Sequence, residues 1–188
     1  MNHTPLSDEE LVQIIRENDQ EEYSEIIRRC QRKLTHYLKK YIYDQDELED
    51  VLQVVFIKAF KNLYGFNIKM KFSSWIYRIA HNEMANHIKK NLKSPVPLDE
   101  VEYKIVDEKI DIDQDIDRKI LARDLGRYLG SLDIKYREPL ILFYFENKSY
   151  EEISDILCMP TSTVGTLILR GKQNLANIIS QDKKYDDK

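Results

Sequence analysis

The chain is poor in the residues that break helices, form disulfides or ligate metals. Its 188 residues include only 5 Gly, 5 Pro and 2 Cys, and no apolar run approaches the roughly 18 residues that a membrane-spanning helix needs. Cys30 and Cys158 lie far apart and neither has a metal-ligating neighbour at short spacing, so we expect reduced, mostly buried thiols. Residues 1–5 lack the basic and apolar parts of a signal peptide, which favours a cytoplasmic protein without membrane insertion.

The sequence also lacks the groupings that carry catalysis or hold a cofactor. It contains no glycine-rich phosphate loop and no recognisable nucleophile paired with a base. His81 and His87 flank Glu83, but histidines six residues apart on a helix diverge by about 120°, and the H-E-x-x-H spacing is missing. We therefore expect no enzyme activity, no metal site and no cofactor.

Apolar residues instead recur at helical spacing, which predicts an all-α protein. Ser7 and Glu10 form a capping box ahead of a first helix. Further helices are predicted over about 23–41, 44–65 and 73–90. Each of these segments is amphipathic, so one face of each helix should enter a common core.

Charge is distributed unevenly and marks a linker between two small helical domains. Residues 94–117 carry nine acidic side chains against Lys104 and Lys109, and two prolines break the chain at 95 and 97. The predicted organisation is a helical domain over 1–93, an acidic flexible linker over 94–115, a second helical domain over 116–180 and a frayed tail over 181–188.

The second domain is predicted to end in a helix-turn-helix. Ser149 and Glu152 form a capping box for a short helix, Pro160 ends it, and Thr161 opens a second helix. The second helix of such a motif normally enters a DNA major groove, although an ordinary helical hairpin would show a similar pattern. The candidate DNA-facing residues are Thr161, Ser162, Thr163, Thr166, Leu169, Arg170 and Gln173.

The third helix carries apolar residues in the middle of its polar face. Val54 and Ile57 lie opposite the predicted core stripe, where charged side chains surround them. An apolar centre with a charged rim is typical of a protein-docking surface, although isolated exposed apolar residues are also common. The candidate docking residues are Glu47, Asp50, Gln53, Val54, Ile57, Lys58 and Lys61.

The loop and helix that follow are basic and aromatic. Residues 64–93 contain six Lys or Arg against Glu83 alone, a pattern suited to single-stranded DNA, whose phosphates attract cations and whose bases stack on rings. Trp75 lies on the apolar stripe and is expected in the core, and a plain solvated loop is the alternative for 66–73. The candidate residues are Phe66, Asn67, Lys69, Lys71, Phe72, Arg78, His81, Asn82 and Lys89.

Together these blocks resemble an extracytoplasmic-function (ECF) sigma factor of bacterial RNA polymerase. Residues 48–60 with 72–82 resemble the second sigma region, and residues 136–146 with 149–153 resemble the fourth. The resemblance implies that Asp50 and Gln53 dock on the clamp of core RNA polymerase. It also implies that the loop before Trp75 captures a flipped base of the −10 promoter motif.

Further roles follow from the same resemblance. Asn82 matches an asparagine that contacts the −10 motif, and the helix from Thr161 matches the reader of −35 duplex, with Arg170 at a retained basic position. The implied partners are core RNA polymerase and promoter DNA, melted at −10 and duplex at −35, with an anti-sigma factor as a further candidate.

The chain departs from the family pattern at several positions. Gly165 and Leu167 stand where the family has Lys and Arg, Val54 where an acid is usual and Asn86 where an aspartate is usual, while Pro139 lies inside a normally uninterrupted helix. Two hypotheses therefore remain open. The second domain either recognises −35 DNA, or belongs to a polymerase-associated regulator and mainly contacts protein.

Overall fold

The computed structural model describes residues 6–17, 20–91 and 125–186, and all regular structure within these ranges is helical. The helices are α1 (Asp8–Glu17), α2 (Tyr23–Leu38), α3 (Gln45–Asn62), α4 (Phe72–Asn91), α5 (described over 125–130), α6 (Ile134–Tyr144), α7 (Tyr150–Leu157) and α8 (Thr161–Asp186). Short 3₁₀ turns, Gln20–Glu22 and Leu63–Gly65, precede α2 and follow α3. The all-α prediction is confirmed. The predicted linker, 94–115, lies outside the described residues.

The described helices form two compact units, one made mainly by α1 to α4 and the other mainly by α5 to α8. In the N-terminal unit, α1 to α4 each bury one apolar stripe. Each fully buried leucine or isoleucine contributes about 1.5–3 kcal/mol relative to an exposed one. The stripes include Ile26, Leu34 and Leu38 on α2, Leu48, Val55 and Ala59 on α3, and Ile76, Ala80 and Met84 on α4.

Side-chain caps set the helix starts that the sequence predicted. At α1 the Ser7 N–H donates to Glu10 Oε2 (2.8 Å) and the Glu10 N–H donates to Ser7 Oγ (3.2 Å). Hydrogen bonding of the Glu10 carboxylate with the Ser7 N–H, and then with the Ser7 side chain, holds the pKa of Glu10 below its usual value. At α3 the Asp44 carboxylate accepts from the Glu47 N–H at 2.9 Å. Each cap satisfies a backbone donor that the helix itself leaves without a partner.

The C-terminal unit is organised around the crossing of α6 and α8. α6 runs without a break through Pro139, which is buried. On α8 the buried residues Val164, Ile168 and Gly171 form the inner face. The backbone approaches so closely at Gly171 that an added Cβ would lie 2.9 Å from Leu140 Cδ1. A larger residue at the crossing point would therefore press on the Leu140 side chain and on the backbone of α6.

The prediction of a frayed tail over 181–188 is wrong for most of its length. α8 continues to Asp186. Its end is attached to α5, because Asp182 Oδ2 accepts from Arg127 Nη2 (2.5 Å) and from the Tyr128 hydroxyl (2.7 Å). The bond to Asp182 raises the pKa of Tyr128. The last two residues lie outside the described range.

Gly171→Ala should be less stable than Gly165→Ala. Both changes gain about 1 kcal/mol of helix propensity. At Gly171, however, the new methyl would also lie 3.2 Å from the Tyr136 carbonyl oxygen, whereas at Gly165 its nearest neighbour is Tyr150 Cε2 at 3.4 Å. Overpacking costs about 1–3 kcal/mol, and urea melts should separate the two free energies of unfolding by that amount. Equal stabilities would contradict the tight crossing.

Candidate nucleic-acid and protein-docking interfaces

One side of α3, which we call the α3 face, presents all seven predicted docking residues to solvent. Val54 is 38% exposed and Ile57 is 46% exposed, while Val55 and Ala59 on the opposite side are fully buried. Two further rings extend the apolar row, since Phe60 is 37% exposed and Tyr64 is 63% exposed. Neither residue was among the predicted docking residues. Their positions three and seven residues after Ile57, which place them near it on a helix, could have indicated them.

An ion pair and a histidine–carboxylate contact join the edge of the α3 face to α4. Lys58 Nζ lies 2.6 Å from Glu83 Oε1, and His87 Nε2 lies 3.1 Å from Glu47 Oε2. Between the two helices runs an open groove of roughly 350 Å³. Its lining mixes carboxylates, a lysine and apolar surface, namely Glu47, Asp50, Val51, Val54, Glu83, Asn86, His87 and Lys90.

The loop between α3 and α4 is closed at its base by three packed rings. Phe66 and Phe72 meet edge to face at 5.4 Å between centroids, and Trp75 lies 5.1 Å from Phe66 and 5.4 Å from Phe72. Phe66 is 3% exposed and Phe72 is fully buried. The proposal that these two rings stack on DNA bases is therefore corrected. Burying two large rings stabilises the loop, and stacking on a base would expose them again.

The tip of this loop carries exposed polar and apolar side chains. Asn67, Ile68, Lys69 and Lys71 are exposed. Asn67 fixes the turn, because its side-chain oxygen accepts from the Lys69 N–H (3.0 Å) and its carbonyl accepts from the Met70 N–H (2.9 Å). The tip thus places two cations and one apolar side chain around a short, hydrogen-bonded turn.

The predicted basic face of α4 continues from this loop. Asn82 and Lys89 are exposed, and Arg78 and His81 are partly exposed. Residues 78, 82 and 89 share one face because they are spaced by four and seven positions. Glu83, the acidic residue in this segment, pairs with Lys58 of α3, so the face itself keeps its positive character.

The helix-turn-helix is confirmed, and hydrogen bonds fix its turn. α7 begins with the predicted capping box, in which the Ser149 N–H donates to Glu152 Oε2 (2.9 Å) and the Glu152 N–H donates to Ser149 Oγ (3.2 Å). The chain leaves α7 through Cys158 in the left-handed region (φ 54°), where glycine is more usual. Cys30 is buried as predicted, but Cys158 is exposed because it lies in this turn. Ser154 Oγ then donates to the Met159 carbonyl at 2.5 Å.

The outward side of α8 presents all seven predicted DNA-facing residues to solvent. Leu169 is 58% exposed. The hydroxyl of Thr166 donates to the Ser162 carbonyl at 2.9 Å, so in this structure its hydrogen bonds to the helix backbone. Arg170 is the cation of this set of seven residues, and the face is therefore nearly neutral.

Comparison with known proteins shows which protein family each unit matches. The family model for Sigma-70 region 2 matches residues 26–93, and the model for Sigma-70 region 4 matches residues 122–175. The chain belongs to the sigma-70 family, within its ECF group. Its function is therefore that of a promoter-recognising sigma factor of RNA polymerase.

Relatives from distant bacteria align over nearly the whole chain. The ECF RNA polymerase sigma-E factor of Escherichia coli K12 is 28% identical over 180 residues, which cover 92% of this chain and 94% of the relative. The ECF sigma factor SigW of Bacillus subtilis is 29% identical over 171 residues (86% and 90%). The RNA polymerase sigma-H factor of Pseudomonas aeruginosa is 27% identical over 178 residues (90% and 92%).

Solved structures share the fold. The structure of CnrH in complex with the cytosolic domain of CnrY has a TM-score of 0.69 and 19% identity, and covers 93% of this chain and 98% of that one. The sigma factor RpoE in complex with the anti-sigma factor NepR from Bartonella quintana has a TM-score of 0.66 and 17% identity, and covers 85% and 98%.

The described ranges contain neither a membrane-spanning helix nor a metal-binding cluster. None of the helices there combines the length and apolarity that crossing a bilayer demands. In the same ranges, no three His, Cys, Asp or Glu side chains come close enough to hold a metal ion. His87 instead faces Glu47.

Phe66→Ala should destabilise the protein, whereas Ile68→Ala in the same loop should not. Truncating a buried Phe costs about 3–5 kcal/mol because it removes contacts and leaves a cavity. Ile68 is exposed, and surface changes usually stay within about 0.5 kcal/mol. Urea denaturation followed by the fluorescence of Trp75, the one tryptophan of the chain, measures both. Similar stabilities for the two variants would contradict the three-ring cluster.

Proposed function

We propose that three surfaces of this sigma factor each bind a different partner. The α3 face binds core RNA polymerase, the α3–α4 loop with the basic face of α4 binds melted −10 DNA, and the outward side of α8 recognises −35 duplex. The protein acts in the cytoplasm, without a cofactor and without catalysing a reaction itself. The observation that carries this proposal is the solvent exposure of all three predicted residue sets apart from Phe66 and Phe72.

The α3 face has the composition of a docking surface. Val54, Ile57 and Phe60 are exposed apolar residues on α3, and exposed Tyr64 lies in the 3₁₀ turn that follows it. Charged residues flank this apolar row, and two of them, Glu47 and Lys58, are held in place by partners on α4. Burying an apolar row with a polar rim is the usual basis of protein association.

The loop and α4 have the charge and shape that a melted strand needs. Lys69, Lys71, Arg78 and Lys89 give the phosphate backbone a run of cations. Asn82 presents an amide, whose donor and acceptor can pair with a base edge. Because Phe66 and Phe72 are buried, we assign base capture to the loop tip rather than to ring stacking.

The role of α8 is supported by its position as the second helix of the motif. Its weak charge means that contacts with base edges and methyl groups, rather than phosphate attraction, carry most of the binding. Exposed Leu169 also favours the alternative, in which this side grips a protein. Two structures of similar fold are complexes, one of them with an anti-sigma factor, and we propose an anti-sigma factor as a further partner here.

Val54→Asp combined with Ile57→Lys should abolish binding to core polymerase while leaving the melting temperature nearly unchanged. Both side chains are exposed, so their replacement costs little folding energy but places charges in the apolar centre of the interface. Fluorescence anisotropy of the labelled chain with purified core polymerase measures the binding. Leu6→Asp with Ile14→Lys is the matched control, since these apolar residues of the N-terminal segment are similarly exposed. Equal binding by both pairs would contradict docking through α3.

Arg170→Ala and Leu169→Ala should affect the −35 element differently. Arg170→Ala removes a phosphate contact, so holoenzyme affinity should fall on all sequences and the salt slope should flatten by about 0.9. Leu169→Ala should relax sequence choice, with about 1–3 kcal/mol less discrimination at the contacted base. Titrations with −35 duplexes at two salt concentrations test both. Unchanged promoter choice with Leu169→Ala, together with loss of a protein partner, would support the alternative.

A further inference from the structure

We infer that α1 is a positioning element for the loop between α3 and α4, which it holds at both ends through Glu9 and Arg16. This inference rests on the proposed function, in which that loop captures a base of the −10 strand. α1 precedes residues 26–93, the part matched to Sigma-70 region 2. The element that grips the loop therefore lies outside the part of the chain that the family match covers.

Arg16 holds the start of the loop. Its Nε and Nη2 donate to the Leu63 carbonyl at 2.9 and 2.5 Å, and Nη2 also donates to the Phe66 carbonyl. Its guanidinium carbon lies 5.9 Å from the centroid of the Phe66 ring. Both carbonyls lie at the 3₁₀ turn that follows α3, where backbone carbonyls carry partial negative charge, and the Leu63 carbonyl also accepts from the Phe66 N–H at 3.1 Å. A planar guanidinium can satisfy several such carbonyls at once, which lysine cannot do in the same geometry.

Glu9 holds the end of the loop. Its Oε1 accepts from the N–H of Phe72, the first residue of α4, at 2.7 Å. Lys71 occupies the capping position, since its carbonyl accepts from the Trp75 N–H. A lysine side chain has only donors and cannot cap this helix start. The cap therefore comes from α1, 63 residues earlier in the chain.

α1 is rigid enough to act in this way. Leu11, Val12 and Ile15 are buried, and Arg29 of α2 binds both Asp8 Oδ1 (3.0 Å) and the Leu6 carbonyl (2.7 Å). Glu9 and Arg16 are seven residues apart, so they lie on one side of α1, about 10 Å apart along its axis. One face of a well-anchored helix thus contacts both ends of the loop.

Fixing the two ends should lower the entropy that the loop loses when it binds a base, and should fix which base it accepts. We therefore expect Glu9→Ala and Arg16→Ala to reduce base preference without weakening assembly with core polymerase. Glu9→Gln keeps an acceptor oxygen and should retain the preference. Arg16→Lys keeps the charge but loses the forked guanidinium that reaches both carbonyls, so the base preference of this variant should be intermediate.

The test uses holoenzyme made from the full chain and a forked DNA library randomised over the single-stranded −10 segment. For each variant, sequencing of the bound fraction gives the enrichment of the preferred base. We expect about a tenfold loss for Glu9→Ala and Arg16→Ala, the scale of one hydrogen bond to a charged group. Arg28→Ala is the control, since Arg28 forms an ion pair with Glu25 on α2.

Two readouts separate this inference from the function on which it rests. No base preference in the wild-type holoenzyme would overturn the −10 assignment itself. A wild-type preference that Glu9→Ala and Arg16→Ala keep within about twofold would overturn only the role of α1. Parallel loss of core binding and preference would show that α1 merely supports the fold. If Arg16→Ala does not fold, Arg16→Lys and the Glu9→Ala and Glu9→Gln pair decide the question by the same criteria.

Discussion

The N-terminal unit depends on the burial of α3 along one side only. Leu48, Val55 and Ala59 pack into the core. Because the helix is rigid, Val54 and Ile57 on its other side must then face solvent. The same packing fixes α4 beside α3, where Lys58–Glu83 and Glu47–His87 pairs join the two helices. The α3 face and the basic face of α4 are thus held in a fixed relation within one small unit, because both are built on the same helix pair.

Local signals in the sequence were sufficient for most of the fold. The capping boxes at Ser7 and Ser149 and the cap at Asp44 act between residues three positions apart, so they could be recognised without a structure. The exposure of Val54 and Ile57 followed from helical periodicity in the same way. Interactions between distant residues could not be predicted. The Glu9 cap on Phe72 and the Asp182 bonds to α5 are such cases.

Phe66 and Phe72 show a different limit. Aromatic rings between lysines suggest base stacking, yet the same rings can close a loop by packing on each other and on Trp75. Composition does not distinguish these outcomes, because burial of the rings depends on how the neighbouring helices pack around the loop. In the C-terminal unit, the nearly neutral outward side of α8 was apparent from the sequence, and the structure leaves Arg170 and Leu169 together on that side.

In the proposed function, this chain directs RNA polymerase to promoters through the α3–α4 loop and the basic face of α4. The decisive experiment is run-off transcription with purified core polymerase on a library of genomic promoter fragments. The wild-type chain should produce defined start sites that share a −10 motif, and Asn82→Ala should shift this motif while the amount of holoenzyme stays the same. The same transcripts from core polymerase with and without the chain would contradict the proposed function.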